Sequence, residues 1–210
     1  MPLPFTPQEM LAIVVGASFA AGLNVYATVA VLGLLARAEL FNLPPSLHLL
    51  QAWPTIAAAV VLFLIEFFAD KIPGFDLIWN ALQTFVRVPV AGLLAFGATA
   101  QLTPGAQIAS AVLASAIAFA AHGGKTAIRA AITPSPEPIS NVGLSLGEDV
   151  LAVALVWFAT LHPYIAAVIV AILLVLLVIL VRMIARSLRT LFRGAKAQWQ
   201  KLQVAGLGGQ

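Results

Sequence analysis

Apolar residues run along this chain in long blocks, separated by short joints rich in proline, glycine and charge. Six blocks can be drawn. The first covers about 8–36 and is rich in small residues between Gly16 and Gly22. The second covers about 54–70, between Trp53-Pro54 and Asp70-Lys71, with Pro73-Gly74 just beyond. The third covers about 84–101, with Pro89 and Gly92 early in it. The fourth follows Thr103-Pro104 and is expected to loosen at His122-Gly123-Gly124. The fifth starts near Gly147 and ends at His162-Pro163, and the sixth, from about 164, holds the Ile/Leu/Val run 168–181. Nothing alternates with period two over a useful length, whereas about 20 successive apolar residues span a bilayer core. The expected fold is all-α, a polytopic membrane helical bundle of about six transmembrane helices.

Composition strengthens that reading. Of 210 residues, 61% are hydrophobic and 9% charged, whereas a soluble domain carries roughly 25% charged residues to face water. With no cysteine in the chain, disulfide and thiol chemistry are excluded. The formal net charge is +3, but six of the eleven basic residues fall in the last 29 positions, directly after the most apolar block. That placement suits anionic lipid headgroups and not nucleic acid. The expected plan is one transmembrane domain over 1–188 and a basic cytoplasmic tail over 189–210. The tail reads as an amphipathic helix along the inner headgroups, then disordered from Val204. At the other end Met1–Glu9 carries no Lys or Arg, so it does not resemble a signal peptide. Thr6, Pro7 and Glu9 fit the N-cap, N1 and N3 positions of a retained first helix.

Charge placement predicts orientation. With the N-terminus inside, the inner joints hold Lys71, Arg87, Lys125 and Arg129, and the tail adds six more, against Arg37 alone outside. Such a bias places both termini in the cytoplasm. Six helices with both ends inside also fit two inverted three-helix repeats, with Phe19-Ala20-Ala21 and Phe119-Ala120-Ala121 at matching points. Between the second and third blocks, Phe75, Ile78, Leu82 and Phe85 recur at helical spacing, as in an amphipathic helix lying in the inner interface.

Ionisable groups inside a membrane segment are costly, which makes them functional candidates. Glu66 and Asp70 stand one helical turn apart, as do Lys125 and Arg129. Glu148-Asp149 opens the fifth block, and His122 lies slightly deeper than Lys125. On the expected topology all of these gather at the cytoplasmic end. Two readings stay open there: a polar vestibule for a charged solute, proton or cation, or ion pairs that only hold the bundle together. Asn24, in the middle of the first block, lines a path, breaks the helix or bonds a neighbouring helix. Gly143-Leu144-Ser145-Leu146-Gly147 matches the nucleophile-elbow pattern, but the strand that pattern needs is not predicted. Ser145 and Glu148 are instead read as a capping box opening the fifth helix. Glu66, Asp70, His122, Glu148 and Asp149 have the donor types for a divalent metal, but Lys125 and Arg129 nearby oppose a cation. No metal or other cofactor is expected.

The stretches Gly22–Thr28, Glu66–Asp76 and His122–Arg129, together with Pro138–Asn141 continuing through Ser145, Glu148 and Asp149, resemble the bacterial membrane family known as domain of unknown function 4126. The likeness covers roughly residues 10–190. It implies a bacterial inner-membrane protein and carries no assigned activity. The leading expectation is a small transporter or flippase-like protein for a small molecule, lipid or ion. Its binding groups would be Asn24, Glu66, Asp70, His122, Lys125, Arg129, Ser145, Glu148 and Asp149. An anionic group would be met by Lys125, Arg129 and the N-terminus of the fifth helix, whereas Glu66 and Asp70 suit a coupling proton or cation. The competing expectations are a membrane scaffold with structural ion pairs and an intramembrane hydrolase using Ser145. A homo-oligomer is compatible with each.

Overall fold

The computed structural model describes residues 5–70, 72, 75–132 and 138–207, without the side chains of 76, 77, 131, 132, 138–141, 188 and 191–207. In chain order the elements are α1 (Pro7–Leu23), α2 (Val25–Arg37), a 3-10 helix (Pro45–Gln51), α3 (Trp53–Ala69), α4 (Phe75–Ala98), α5 (Pro104–Ile132), α6 (Pro138–Leu161) and α7 (Pro163–Leu207). No strand occurs among the described residues. The expected N-terminal cap is present: Thr6 and Glu9 bond reciprocally, the Thr6 N–H to Glu9 Oε2 at 2.8 Å and the Glu9 N–H to Thr6 Oγ1 at 3.3 Å.

Four stretches are long and apolar enough to cross a membrane: Ile78–Ala98, Pro104–Ala130, Val142–Leu161 and Pro163–Ser187. A fifth is gained if the 3-10 helix and α3, bent by 64° at their joint, make one broken span. Both α1 and α2 are apolar but shorter. Side chains are sorted as a bilayer sorts them. On α7, Val168, Ile172, Val175 and Ile179 are exposed, while the buried set includes Glu66, Arg87, Lys125 and Arg129. Water favours the reverse arrangement, so this is the surface of a multi-pass membrane protein.

Several expected boundaries move, each for a local reason. The first block is two helices, because Asn24 leaves helical geometry (φ −152°, ψ 103°) and caps α2 with its side chain, Oδ1 accepting from the Ala27 N–H at 2.9 Å. A short amide that satisfies a helix start competes with continuing the helix. The third block and the amphipathic segment before it form one helix, α4, with Pro89 inside it. The segment's faces are the reverse of the interfacial reading. Ile78, Leu82 and Phe85 point outward, and Asn80, Gln83 and Arg87 point into the protein. At His122-Gly123-Gly124 the helix does not loosen, since α5 runs through it and Gly124 gives room to the Leu177 side chain of α7. α6 starts at Pro138, a favourable first helical residue. Ser145 and Glu148 therefore lie inside the helix, and the expected capping box there does not exist. α7 continues unbroken to Leu207, past the point at Val204 where order was expected to end. Lys71, Pro73, Gly74, residues 133–137 and the tail side chains from Leu191 onward lie outside the described residues.

α1 is the central helix, touching α2, α4, α5, α6 and α7. Its small residues make that approach possible. A Cβ on Gly22 would lie 2.5 Å from the Ala118 carbonyl oxygen of α5, and one on Gly16 would lie 2.7 Å from Ala159 Cβ of α6. Close packing of this kind takes the place of the hydrophobic effect between helices in lipid. It also brings the α1–α2 break against the charged residues of α3 to α6.

Candidate functional site

Seven charged groups meet where α3 and α5 end and where α4 and α6 have made about three turns. Among the described residues, Arg87 Nη2 pairs with Glu66 Oε1, both side chains being 0% exposed. Lys125 Nζ reaches Glu66 Oε1 at 3.5 Å, Asp70 Oδ2 at 3.0 Å and Glu148 Oε2 at 3.2 Å. Arg129 Nη2 reaches Asp70 Oδ2 at 3.0 Å and Glu148 Oε2 at 2.6 Å. Asp149 forms no ion pair among the described residues, and there its hydrogen-bond partner is Asn24, Nδ2 donating to Oδ1 at 2.9 Å. Buried charges persist when each meets an opposite charge and further hydrogen bonds. Three of the four carboxylates meet that condition.

The cations also satisfy the broken backbone. The last carbonyls of α1 have no partners further along the helix. Arg87 Nη1 donates to Gly22 O at 3.0 Å and Leu23 O at 2.7 Å, and Lys125 Nζ donates to Leu23 O at 3.2 Å. The negative end of the α1 dipole thus faces two fixed positive charges. Arg129 Nη1 does the same at the end of α3, donating to Asp70 O at 3.2 Å.

His122 links α4 to this network. Arginine has no acceptor, so the 3.0 Å contact with Arg87 Nη1 makes His122 Nδ1 the acceptor. Nε2 then carries the proton and donates toward Asn80 O at 2.8 Å and Thr84 Oγ1 at 2.9 Å. The ring is a neutral Nε2–H tautomer that positions Arg87.

Of the residues expected to form a site, Glu66, Asp70, His122, Lys125, Arg129 and Glu148 join one bonded network, with Asn24 and Asp149 paired at its edge. Ser145 is fully buried but joins nothing: its Oγ has no hydrogen-bond partner among the described residues. Sequence reasoning placed Arg87 in an inner joint, whereas it is among the largest fully buried side chains. The signal that identifies it is the polar stripe Asn80, Gln83, Thr84 and Arg87, at helical spacing opposite the apolar face. Cation positions among these carboxylates are filled by Arg87, Lys125 and Arg129, and among the described residues no group of three or more His, Asp or Glu is arranged to hold a metal ion. Beside Lys125 and Glu148 a groove of about 380 Å³ opens between α1, α5, α6 and α7, walled mainly by apolar residues such as Phe19, Leu151, Leu173 and Leu177.

The stretches that supply this network are those that resemble a known family, and the profile described as Domain of unknown function (DUF4126) matches residues 11–183. The chain belongs to that family. The matched range takes in every residue of the DUF4126 network described above. No match was found among curated proteins or among solved structures.

Proposed function

We propose that this protein is a small transporter or flippase-like protein of the bacterial inner membrane, with the buried network as the site its substrate engages. The observation that carries the reading is the interruption of α1–α2 at Asn24. There the Gly22 and Leu23 carbonyls turn to Arg87 and Lys125 in the middle of the bundle. Broken helices whose backbone ends face charged groups are how transporters build sites inside a membrane. Reading α1–α2 as one broken span and the 3-10 helix with α3 as another gives six spans. The exposed basic residues Arg182, Arg186 and Arg189 on α7 then favour both termini in the cytoplasm and contact with anionic headgroups.

The balance of charge favours a cation or proton over an anion. Four carboxylates face three cations among the described residues, and those cations are already paired. The helix end invoked for an anion is also absent, because α6 starts at Pro138, ten residues before Glu148. Full pairing of Arg87, Lys125 and Arg129 supports the scaffold reading instead, so the test must separate the two. In proteoliposomes, dithionite quenching of fluorescent phospholipid reads lipid movement, and charge movement on a solid-supported membrane reads solute or ion movement. Transport predicts a signal above protein-free vesicles in one assay, lost in a folded Glu66→Gln variant. No signal in either, with a stoichiometric protein partner co-purifying, replaces transport with the scaffold.

A further inference from the structure

Among the described residues, Asp149 is the one carboxyl of the network with no ion pair. Lys125 and Arg129 are shared among Glu66, Asp70 and Glu148, and Arg87 is held by Glu66 and the α1 carbonyls. Asp149 is 6% exposed, and its Oδ2 has no hydrogen-bond partner among the described residues. One turn earlier on α6, Ser145 is 0% exposed, and its Oγ is also without a partner. Positions i and i+4 share a helix face, so α6 turns two unpartnered side-chain oxygens to the same side, with Asp149 held at the α1–α2 break by Asn24. The charges acting on Asp149 are Lys125 from α5, Glu66 and Asp70 from α3, and Glu148 next to it. The groove between α6 and α7 takes in Glu148 and not Asp149, and its α7 wall is Leu173, Leu176, Leu177 and Leu180.

We propose that Asp149 is the proton-carrying group of this protein, binding a proton on Oδ2 while Asn24 holds Oδ1. This deepens the transport reading, on which it rests, by naming the coupling ion. A bare carboxylate in a nonpolar interior needs a counter-charge or a proton, and among the described residues Arg87, Lys125 and Arg129 are already paired with other carboxylates. The donor inventory decides against sodium. Asn24 presents its N–H to Asp149, its own oxygen is committed to Ala27, and the Thr28 hydroxyl donates to the Asn24 carbonyl. Among the described residues Ser145 Oγ is the one further unpartnered oxygen on that face of α6, far short of the oxygen shell a metal cation needs. A proton on Oδ2 removes the need for a counter-charge and asks for no shell of oxygens. When the proton leaves, the new charge competes for Lys125, which also holds the Leu23 carbonyl next to the break. Loading and unloading Asp149 thereby acts on the joint between α1 and α2.

Hydrophobic carbodiimides add to protonated carboxyls in nonpolar surroundings, so the full-length protein in liposomes is treated with a fluorescent carbodiimide and the adduct mapped by mass spectrometry. The adduct is expected on Asp149, decreasing as the buffer goes from mildly acid to alkaline and unchanged by sodium at fixed pH. Asp149→Asn should abolish it while Glu66→Gln retains it. Because asparagine mimics the protonated acid and can still accept from Asn24, Asp149→Asn should melt no lower than wild type at neutral pH. An adduct on Glu66 or Glu148 in place of Asp149 overturns the proposal, as does a large loss of stability in Asp149→Asn. Protection by sodium at constant pH replaces the proton with a metal cation. Labelling is read without flux, so the two ideas fail separately. Labelled Asp149 with no transport signal removes the transport reading only. Transport that persists in Asp149→Asn removes the proton carrier only.

Discussion

Removing the Arg87 guanidinium tests whether the network is one energetic unit. Arg87→Met deletes the partner of Glu66, the donor to two α1 carbonyls and the donor to His122. Both partners of the Arg87–Glu66 pair are 0% exposed, so solvent screening gives no discount. Breaking a buried pair from one side costs about 3–5 kcal/mol. A carbonyl left short of a donor adds about 1–3 kcal/mol. The Leu23 carbonyl keeps Lys125 at 3.2 Å, and Glu66 keeps Lys125 at 3.5 Å, which holds the total toward the lower end. Glu66→Gln alone leaves Arg87 facing a neutral amide and is expected to cost somewhat less. In the double variant neither charge is stranded, so its loss should fall short of the sum of the two single losses by about 1–3 kcal/mol. Unfolding by sodium dodecyl sulfate titration in maltoside micelles, for wild type, both singles and the double, gives the cycle directly. Additivity to within about 0.5 kcal/mol, or an Arg87→Met variant as stable as wild type, would show that the pair does not hold the break.

Four further outcomes can be checked on the same preparations. Gly22→Ala should lose about 1–3 kcal/mol, because its Cβ would lie 2.5 Å from the Ala118 carbonyl oxygen; Gly147→Ala, with nothing within 4 Å, should be neutral or slightly stabilising, and equal effects would refute the packing assignment. Asn24→Ala should cost about 1–2 kcal/mol through the lost cap of α2, and an unchanged melt would mean that the cap carries no weight. Nitrogen-15 spectra of histidine-labelled protein should show His122 as the neutral Nε2–H tautomer in wild type; an Nδ1–H signal would reverse the bonding given above. As the chain has no cysteine, single cysteines at Ala38 and Gly206 can be labelled in intact cells, where Ala38→Cys should react with an impermeant reagent and Gly206→Cys only after lysis.

Much of the site was legible because chemistry in a membrane is sparse. Eight acidic residues in 210 leave few candidates, and helical spacing put Glu66 with Asp70 and Lys125 with Arg129 on shared faces, as the structure has them. Arg87 was lost for a physical reason. An apolar stripe at helical spacing looks the same whether it faces lipid from a span or lies in headgroups, and the interfacial choice sent the polar stripe outward. The same ambiguity hid the length of α4. Asn24 could be read as a break or as an interhelical bond, and it is both, with Oδ1 capping α2 and Nδ2 reaching Asp149. Ser145 and Glu148 fitted a capping pattern that only a helix start near Gly147 makes meaningful, and Pro138 starts the helix earlier.

The buried network also changes what the charge asymmetry means. Ten basic residues were counted toward the cytoplasm, but Arg87, Lys125 and Arg129 are enclosed and matched by carboxylates. A neutralised pair inside the bundle gives no reason to keep a loop on one side, so these three cannot vote on orientation. Lys71 and the six tail residues remain, seven against Arg37, and the bias survives with its centre moved to the end of the chain. The charge asymmetry and the buried network therefore rest on different residues. Exposed arginines on α7 can anchor the protein to a leaflet while the enclosed set spends its charge on the α1–α2 break and its neighbours. Substitutions in the tail should change insertion without touching the network, and substitutions at Glu66, Arg87 or Asp149 should do the opposite.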